Sequence, residues 1–157
     1  MSKLTFHYFM NYDDCMLGRF TTGEHEIPVN IEIENEDVPF FKAGRDMSIE
    51  VGAVSGHFRV FADEEEYKKS GHNLDICSII PVGTFTESEQ DSTVLFVGRV
   101  NDVEFDAEAD DDEPNYTLEI ETLDLTVYLS VRYEGEIRAG DIIHASAWLY
   151  GVLELPK

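Results

Sequence analysis

Between Glu104 and Glu113 the segment EFDAEADDDE carries seven carboxylates in ten residues. At that density carboxylates chelate a divalent cation, attract a basic surface, or stay solvated as a loop. A calcium loop of the EF-hand type needs acids at fixed alternate positions, a glycine for its sharp turn and a closing bidentate glutamate. No glycine lies between Glu104 and Tyr116, so the segment does not follow that grammar. It reads as a solvated hairpin connection ended by Pro114 and Asn115. Its functional alternative is contact with a basic protein through Asp106, Glu108, Asp110, Asp111, Asp112 and Glu113.

Other chemistry-bearing residues are dispersed. The five histidines, His7, His25, His57, His72 and His144, show neither helical i,i+4 spacing nor a Cys/His pair with zinc-site spacing. Ser55, in VSGHF, has no nucleophile elbow around it, and no phosphate-cradling glycine loop occurs in the chain. No catalytic residue, metal site or cofactor is expected, and the chain reads as non-catalytic. Trp148 and Tyr150 alternate on one side of the last strand, with Tyr128 within reach of them. These rings either pack under the N-terminal half or form an aromatic patch that grips a partner.

The background to these residues is strongly acidic. Of 157 residues, 33 are Asp or Glu against 11 Lys or Arg, a formal charge of -22. Nucleic-acid affinity depends largely on neutralising phosphates with Lys and Arg, and here the basic residues are scattered among acids. Free nucleic acid is therefore an unsuitable partner, and a basic protein suits the field. Asp13 and Asp14 occupy the place of a signal peptide's apolar core. The uncharged run 142–153 falls short of the roughly 20 apolar residues of a spanning helix. Cys15 and Cys77 make no disulfide framework. A cytoplasmic protein with reduced thiols and no membrane contact is expected.

The elements that must position these residues have period two. In IPVNIEI, Val29, Ile31 and Ile33 share one face, as in a strand buried on one side. Met47, Ile49 and Val51 continue the pattern after the KAG turn, Ser55-Gly56 punctuates, and HFRVFA predicts a further strand. The spacing of Asp63 and Glu66 predicts a capped short helix over Asp63 to Ser70, stopped by Gly71. Its i,i+4 pairs are Glu64 with Lys68 and Glu65 with Lys69. The polar stretch Thr86 to Ser92 is the best internal boundary, dividing a single compact domain, 1–157, into halves 1–85 and 93–157. Gly98 inside TVLFVGRVNDVEF marks a bulge or bend. The hydrophobic phase slips at Glu121-Thr122, which requires a bulge or a tight connection.

The residues VLFVGRV (Val94 to Val100) and AGDIIHASAWLYG (Ala139 to Gly151), with the phase change between them, resemble the strand order of an OB-fold. With IIPVGTF ahead of them they are also similar to small bacterial proteins of unknown function that share such a C-terminal pattern. The resemblance implies a mainly β protein with an antiparallel barrel, OB-like in the C-terminal half, and one short helix. It also implies a binding groove across the second and third strands, here faced by Glu119, Glu121, Asp124, Thr126, Tyr128 and Ser130, which repel a phosphate backbone. The expected function is a non-catalytic acidic binding or inhibitory protein, immunity-like, recognising a basic protein. The alternative is an OB-like accessory module that binds a neutral ligand or protein through the strand face near Tyr128.

Overall fold

Period-two alternation becomes nine strands in a computed structural model that describes residues 2–72, 74–85 and 90–153. They are β1 (Ser2–Tyr12), β2 (Cys15–Thr22), β3 (Pro28–Ile33), β4 (Asp46–Phe61), β5 (Ser78–Ile80), β6 (Thr93–Phe105), β7 (Tyr116–Glu121), β8 (Thr126–Val131) and β9 (Ile142–Leu153). Among the described residues there are also one helix, α1 (Glu64–Lys69), and two single-turn 3-10 segments. Among the described residues no helix is long and apolar enough to cross a membrane.

All nine strands belong to one sheet in the order β1-β2-β3-β9-β4-β8-β7-β6-β5, with added pairings β1–β4 and β9–β6. Those two pairings make the sheet ring-like. One circuit runs β1-β2-β3-β9-β4 and returns to β1; the other runs β6-β7-β8-β4-β9 and returns to β6. Both circuits share the long antiparallel β4–β9 pair, which runs in register from Ile49↔Leu153 to Val54↔Trp148. The C-terminal 65 residues thus supply only four strands of their circuit, and β4 of the N-terminal half stands between β8 and β9.

The two circuits repeat each other in detail. Phe6 exchanges backbone hydrogen bonds with Gly44 (2.8 Å) and Arg45 (3.0 Å), as Val100 does with Gly140 (2.8 Å) and Asp141 (2.9 Å). Gly44 and Gly140 close the similar turns KAG and RAG at φ 80° and 96°, where a side chain would clash with its own backbone. A bulge follows Phe6 in the β1–β2 pairing and Val100 in the β6–β7 pairing. The third strand of each half then runs parallel to the other half's fourth strand: β3 to β9, and β8 to β4. Each half is a three-strand meander plus a fourth strand exchanged with its twin.

Burial follows the alternation. Val29, Ile31, Ile49, Val51, Leu118, Ile120, Val127, Leu129, Ile143 and Leu149 are fully buried in one continuous core. Each such side chain contributes about 1.5–3 kcal/mol. Phe6, Phe9, Phe20 and Phe41 add an aromatic cluster with centroids 4.6 to 5.8 Å apart. Outside this core, Tyr67 of α1 joins Phe61, Val97 and Ile142 in a satellite cluster.

The helix is capped as its sequence predicts. Asp63 accepts from the Glu66 amide (2.8 Å), and Glu66 accepts in return from the Ala62 amide (2.9 Å). Lys69 pairs with Glu65 at 2.9 Å, whereas Glu64 pairs with Arg99 of β6 rather than with Lys68. Two local expectations change. Ser55-Gly56 does not end a strand; it is a bulge between Val54 and His57 within the continuous β4. Gly98 is not itself the bulge, which lies between Val100 and Asp102; a Cβ on Gly98 would stand 2.4 Å from the Ile120 side chain. The phase slip at Glu121-Thr122 is the β7–β8 turn. Of the boundary at Thr86 to Ser92, residues 86–89 lie outside the described residues.

Candidate protein-binding face

Directly paired residues on neighbouring strands project from the same face of a sheet. The pairings Asp102↔Glu119, Glu119↔Tyr128, Tyr128↔Gly52, Gly52↔Tyr150 and Tyr150↔Glu32 therefore lay one row across β6, β7, β8, β4, β9 and β3. Two half-buried tyrosines stand at its centre with carboxylates at both ends. Gly52 makes the row possible: a Cβ there would meet the Tyr150 ring at 2.3 Å, so only glycine lets that ring lie across the strand. Tyr128 donates from its hydroxyl to Glu119 Oε1 at 3.1 Å. That hydrogen bond, partial burial, and the charges of Glu119 and Glu50 hold the Tyr128 phenol above its ordinary pKa.

The adjoining row is Glu104, Thr117, Ser130, Val54, Trp148 and Thr93. Trp148 is half-buried and lies 5.4 Å from the ring of Tyr12, centroid to centroid. Val54 is 49% exposed, and Val152, beyond Tyr150 on β9, is 51% exposed. The structure thus brings Tyr128, Trp148 and Tyr150 onto one outward face, together with Tyr12. Trp148 touches the N-terminal half through Tyr12, and all three rings are only partly covered.

The acidic segment connects β6 to β7, and Asp106, Glu108, Asp110, Asp111, Asp112 and Glu113 are all exposed. Its backbone is pinned from below by Arg132, whose Nη1 donates to the carbonyls of Asp110 (2.9 Å), Glu113 (3.4 Å) and Ala109 (3.5 Å). Buried Asn115 holds the base of the loop by donating to the Tyr133 carbonyl (2.8 Å) and accepting from the Tyr133 amide (2.9 Å). Side chains of Asp110, Asp112 and Glu113 bring oxygens within 4.8 Å of one another, an all-oxygen set of the kind hard cations take. With its backbone turned inward onto Arg132, the loop aims its carboxylates at solvent. It emerges at Phe105 and Tyr116, one residue beyond the Glu104–Thr117 pair.

Sequence reasoning missed a second cluster. Asp124 does not face the strand groove as expected: it lies in the β7–β8 turn at φ 64° with a side chain only 3% exposed. It accepts from the Thr22 hydroxyl (2.8 Å), the His25 amide (2.7 Å) and His25 Nδ1 (2.7 Å), tying the β7–β8 turn to the β2–β3 turn. Burial works against the Asp124 charge, but the hydrogen bonds from the His25 ring, its amide and Thr22 prevail and hold the carboxyl below its usual value. The same hydrogen bond, with the Asp124 charge, raises His25. A cleft of about 460 Å³ opens beside this pair, lined also by Lys3, Glu24 and Cys77. Glu24, His25 and Asp124 bring ligand atoms within 4.8 Å, a mixed nitrogen and oxygen set. Burial and the Glu121 charge raise the Cys77 thiol, which keeps it protonated and weakly nucleophilic. No protein-family model matches the chain, and neither does any curated protein or solved structure.

Proposed function

We propose that the chain is a non-catalytic protein-binding module that recognises a basic protein through the outer face of β4, β9 and β8, in the manner of an immunity or antagonist protein. The observation that carries this reading is the row in which Tyr150 and Tyr128 flank Gly52 between Glu32 and Glu119. A tyrosine face beside a carboxylate suits an arginine or lysine side chain. The ring quadrupole adds about 0.5–2 kcal/mol as the cation loses water, and the carboxylate accepts its hydrogen bonds. Val54 and Val152 supply the apolar contact that such a hot spot needs around it. The charge of -22 and the outward carboxylates of the 106–113 loop steer a basic partner toward this face.

The circuit of β6, β7, β8, β4 and β9 has the strand number of an OB-like barrel, a fold that binds across its strand face. That supports the second reading, an accessory module for a neutral ligand or protein at the Tyr128 face. Salt separates the two. Capture of partners from the native lysate on immobilised protein should yield a basic protein that is lost as salt rises. Tyr128→Ala combined with Tyr150→Ala should weaken that capture by at least about tenfold, the effect of losing a central aromatic anchor. A partner retained unchanged at high salt would favour the neutral-ligand reading, and unchanged capture by the double variant would remove this face as the site.

A further inference from the structure

On the same outer face, past the β4 bulge, lies a cleft of about 320 Å³ between the sheet and the segment that follows α1. The sheet contributes His57 and Arg59 from β4, His144 and Ser146 from β9, and Leu95 from β6; His72 completes the lining from the segment after α1. The imidazoles of His72 and His144 stack at 4.2 Å with 25° between their planes. The Tyr67 ring lies beside both imidazoles, 5.8 Å from His72 and 6.4 Å from His144, so the pair is held by the satellite cluster rather than by chance contact.

Three observations point to a ligand. First, among the described residues the lining contains no Asp or Glu, although the chain carries 33 and the cleft beside Asp124 has three in its wall. Second, among the described residues Arg59, like Arg45, makes no ion pair or side-chain hydrogen bond, while Arg19, Arg99, Arg132 and Arg138 all do, and of the two only Arg59 lines a cleft with histidines. Third, Nε2 of His72 is buried without a hydrogen-bond partner among the described residues. Buried polar atoms of this kind are uncommon and call for an explanation such as a bound group or water.

The bulge has a role in the arrangement. Ser55 Oγ donates to the Ser146 carbonyl and accepts from the His57 amide at 3.2 Å, which fixes the extra residue and brings His57 opposite Ser146. Bulges commonly re-aim a side chain in this way beside functional sites. Arg59 then stands opposite His144 in the next pair. We propose that this cleft binds a small oxyanion, a carboxylate or phosphate group, with Arg59 and His57 as its donors and the stacked His72 and His144 rings as its wall. Burial, the neighbouring His72 and the Arg59 charge hold His144 below its ordinary pKa, so a bound anion that neutralises Arg59 relieves one of those causes.

The test is a titration of the full chain at neutral pH, followed by the histidine ring resonances in proton–carbon NMR. Inorganic phosphate and benzoate serve as separate probes, with chloride at matched ionic strength as the reference. Saturable shifts of His57 and His144 are expected with at least one oxyanion and not with chloride. Response to phosphate alone identifies a phosphate group, response to benzoate alone a carboxylate, and response to both a general oxyanion site. Arg59→Ala should weaken the affinity by about tenfold or more, as expected for removing a charged donor. Arg45→Ala, which removes an arginine outside the cleft, should leave it unchanged. Absence of saturation with both probes, equal shifts with chloride, or undiminished affinity in Arg59→Ala would overturn the proposal. Arg59 is exposed, so its variant tests binding without emptying the core.

Discussion

Asp124 shows how much one side chain can hold. Its carboxylate takes three hydrogen bonds across the gap between two turns, from residues about a hundred positions earlier in the chain. Replacing it by Ala takes away the acceptor of the Thr22 hydroxyl and of the His25 amide and keeps a left-handed backbone at a residue that resists it. A loss of about 2–3 kcal/mol is expected. Asp124→Asn tolerates that backbone and retains one acceptor, so it should lose less. Linkage gives the pH window. Asp124 has a lowered folded value, so its contribution is present above the ordinary carboxylate range and disappears as pH falls through that lowered value. His25 has a raised folded value, so its contribution is present below the ordinary imidazole value and disappears as pH rises through the raised one. The difference in Tm between the wild type and Asp124→Asn should peak between these limits; a difference that does not vary with pH would show the pair to be uncharged. None of this was legible in TLDL, because the partners of Asp124 arrive only with the fold. The pattern of Val29, Ile31 and Ile33, by contrast, depends on adjacent residues alone and matches their burial.

At the scale of elements, the 106–113 loop is a hairpin connection, as its composition implied, but its Arg132 support comes from beyond the next strand. Asp110, Asp111 and Asp112 project to solvent, and the Asp111–Arg132 approach is 3.6 Å with Asp111 fully open. Their joint replacement by Asn should change unfolding free energy by no more than about 0.5 kcal/mol, as for ordinary surface positions. It should also flatten the salt dependence of partner association. A stability loss of several times that size in chemical denaturation would mean that the carboxylates are structural. The α1 helix and its cap were readable because they are local, whereas the partner of Glu64, Arg99 of β6, arrives only with the fold. The β4 strand was not, because Ser55-Gly56 carries a break signal that the uninterrupted β9 overrides by pairing on both sides of it.

The whole molecule depends on exchange. Each half contributes a meander and a fourth strand, and each circuit is completed by the other half's fourth strand, as in a domain swap contained within one chain. The first unit ends with β4 at Phe61 and the second begins with β6 at Thr93; β5, between them, pairs with β6. The repeat itself was hidden: it resides in matched hydrogen bonds and bulges, while the paired positions differ in residue type, as Phe6 and Val100 do. Fragments 1–85 and 90–157 expressed separately should lack a complete core and show weak secondary structure by circular dichroism. Mixed, they should associate one to one and recover the spectrum of the intact chain. A fragment that folds alone with full cooperativity would contradict the shared architecture.

Ala53 and Leu149 pair with each other, and each lies nine residues beyond its half's turn glycine, so the approximate two-fold axis passes between them. Outward positions on either side of that axis are therefore counterparts, yet Gly52 stands where β9 has Trp148, and Val54 where it has Tyr150. The large rings come from one strand and the small side chains from the other. A scaffold whose two halves are nearly interchangeable thus presents a handed surface, and of the two orientations its symmetry would offer a partner, only one meets the rings.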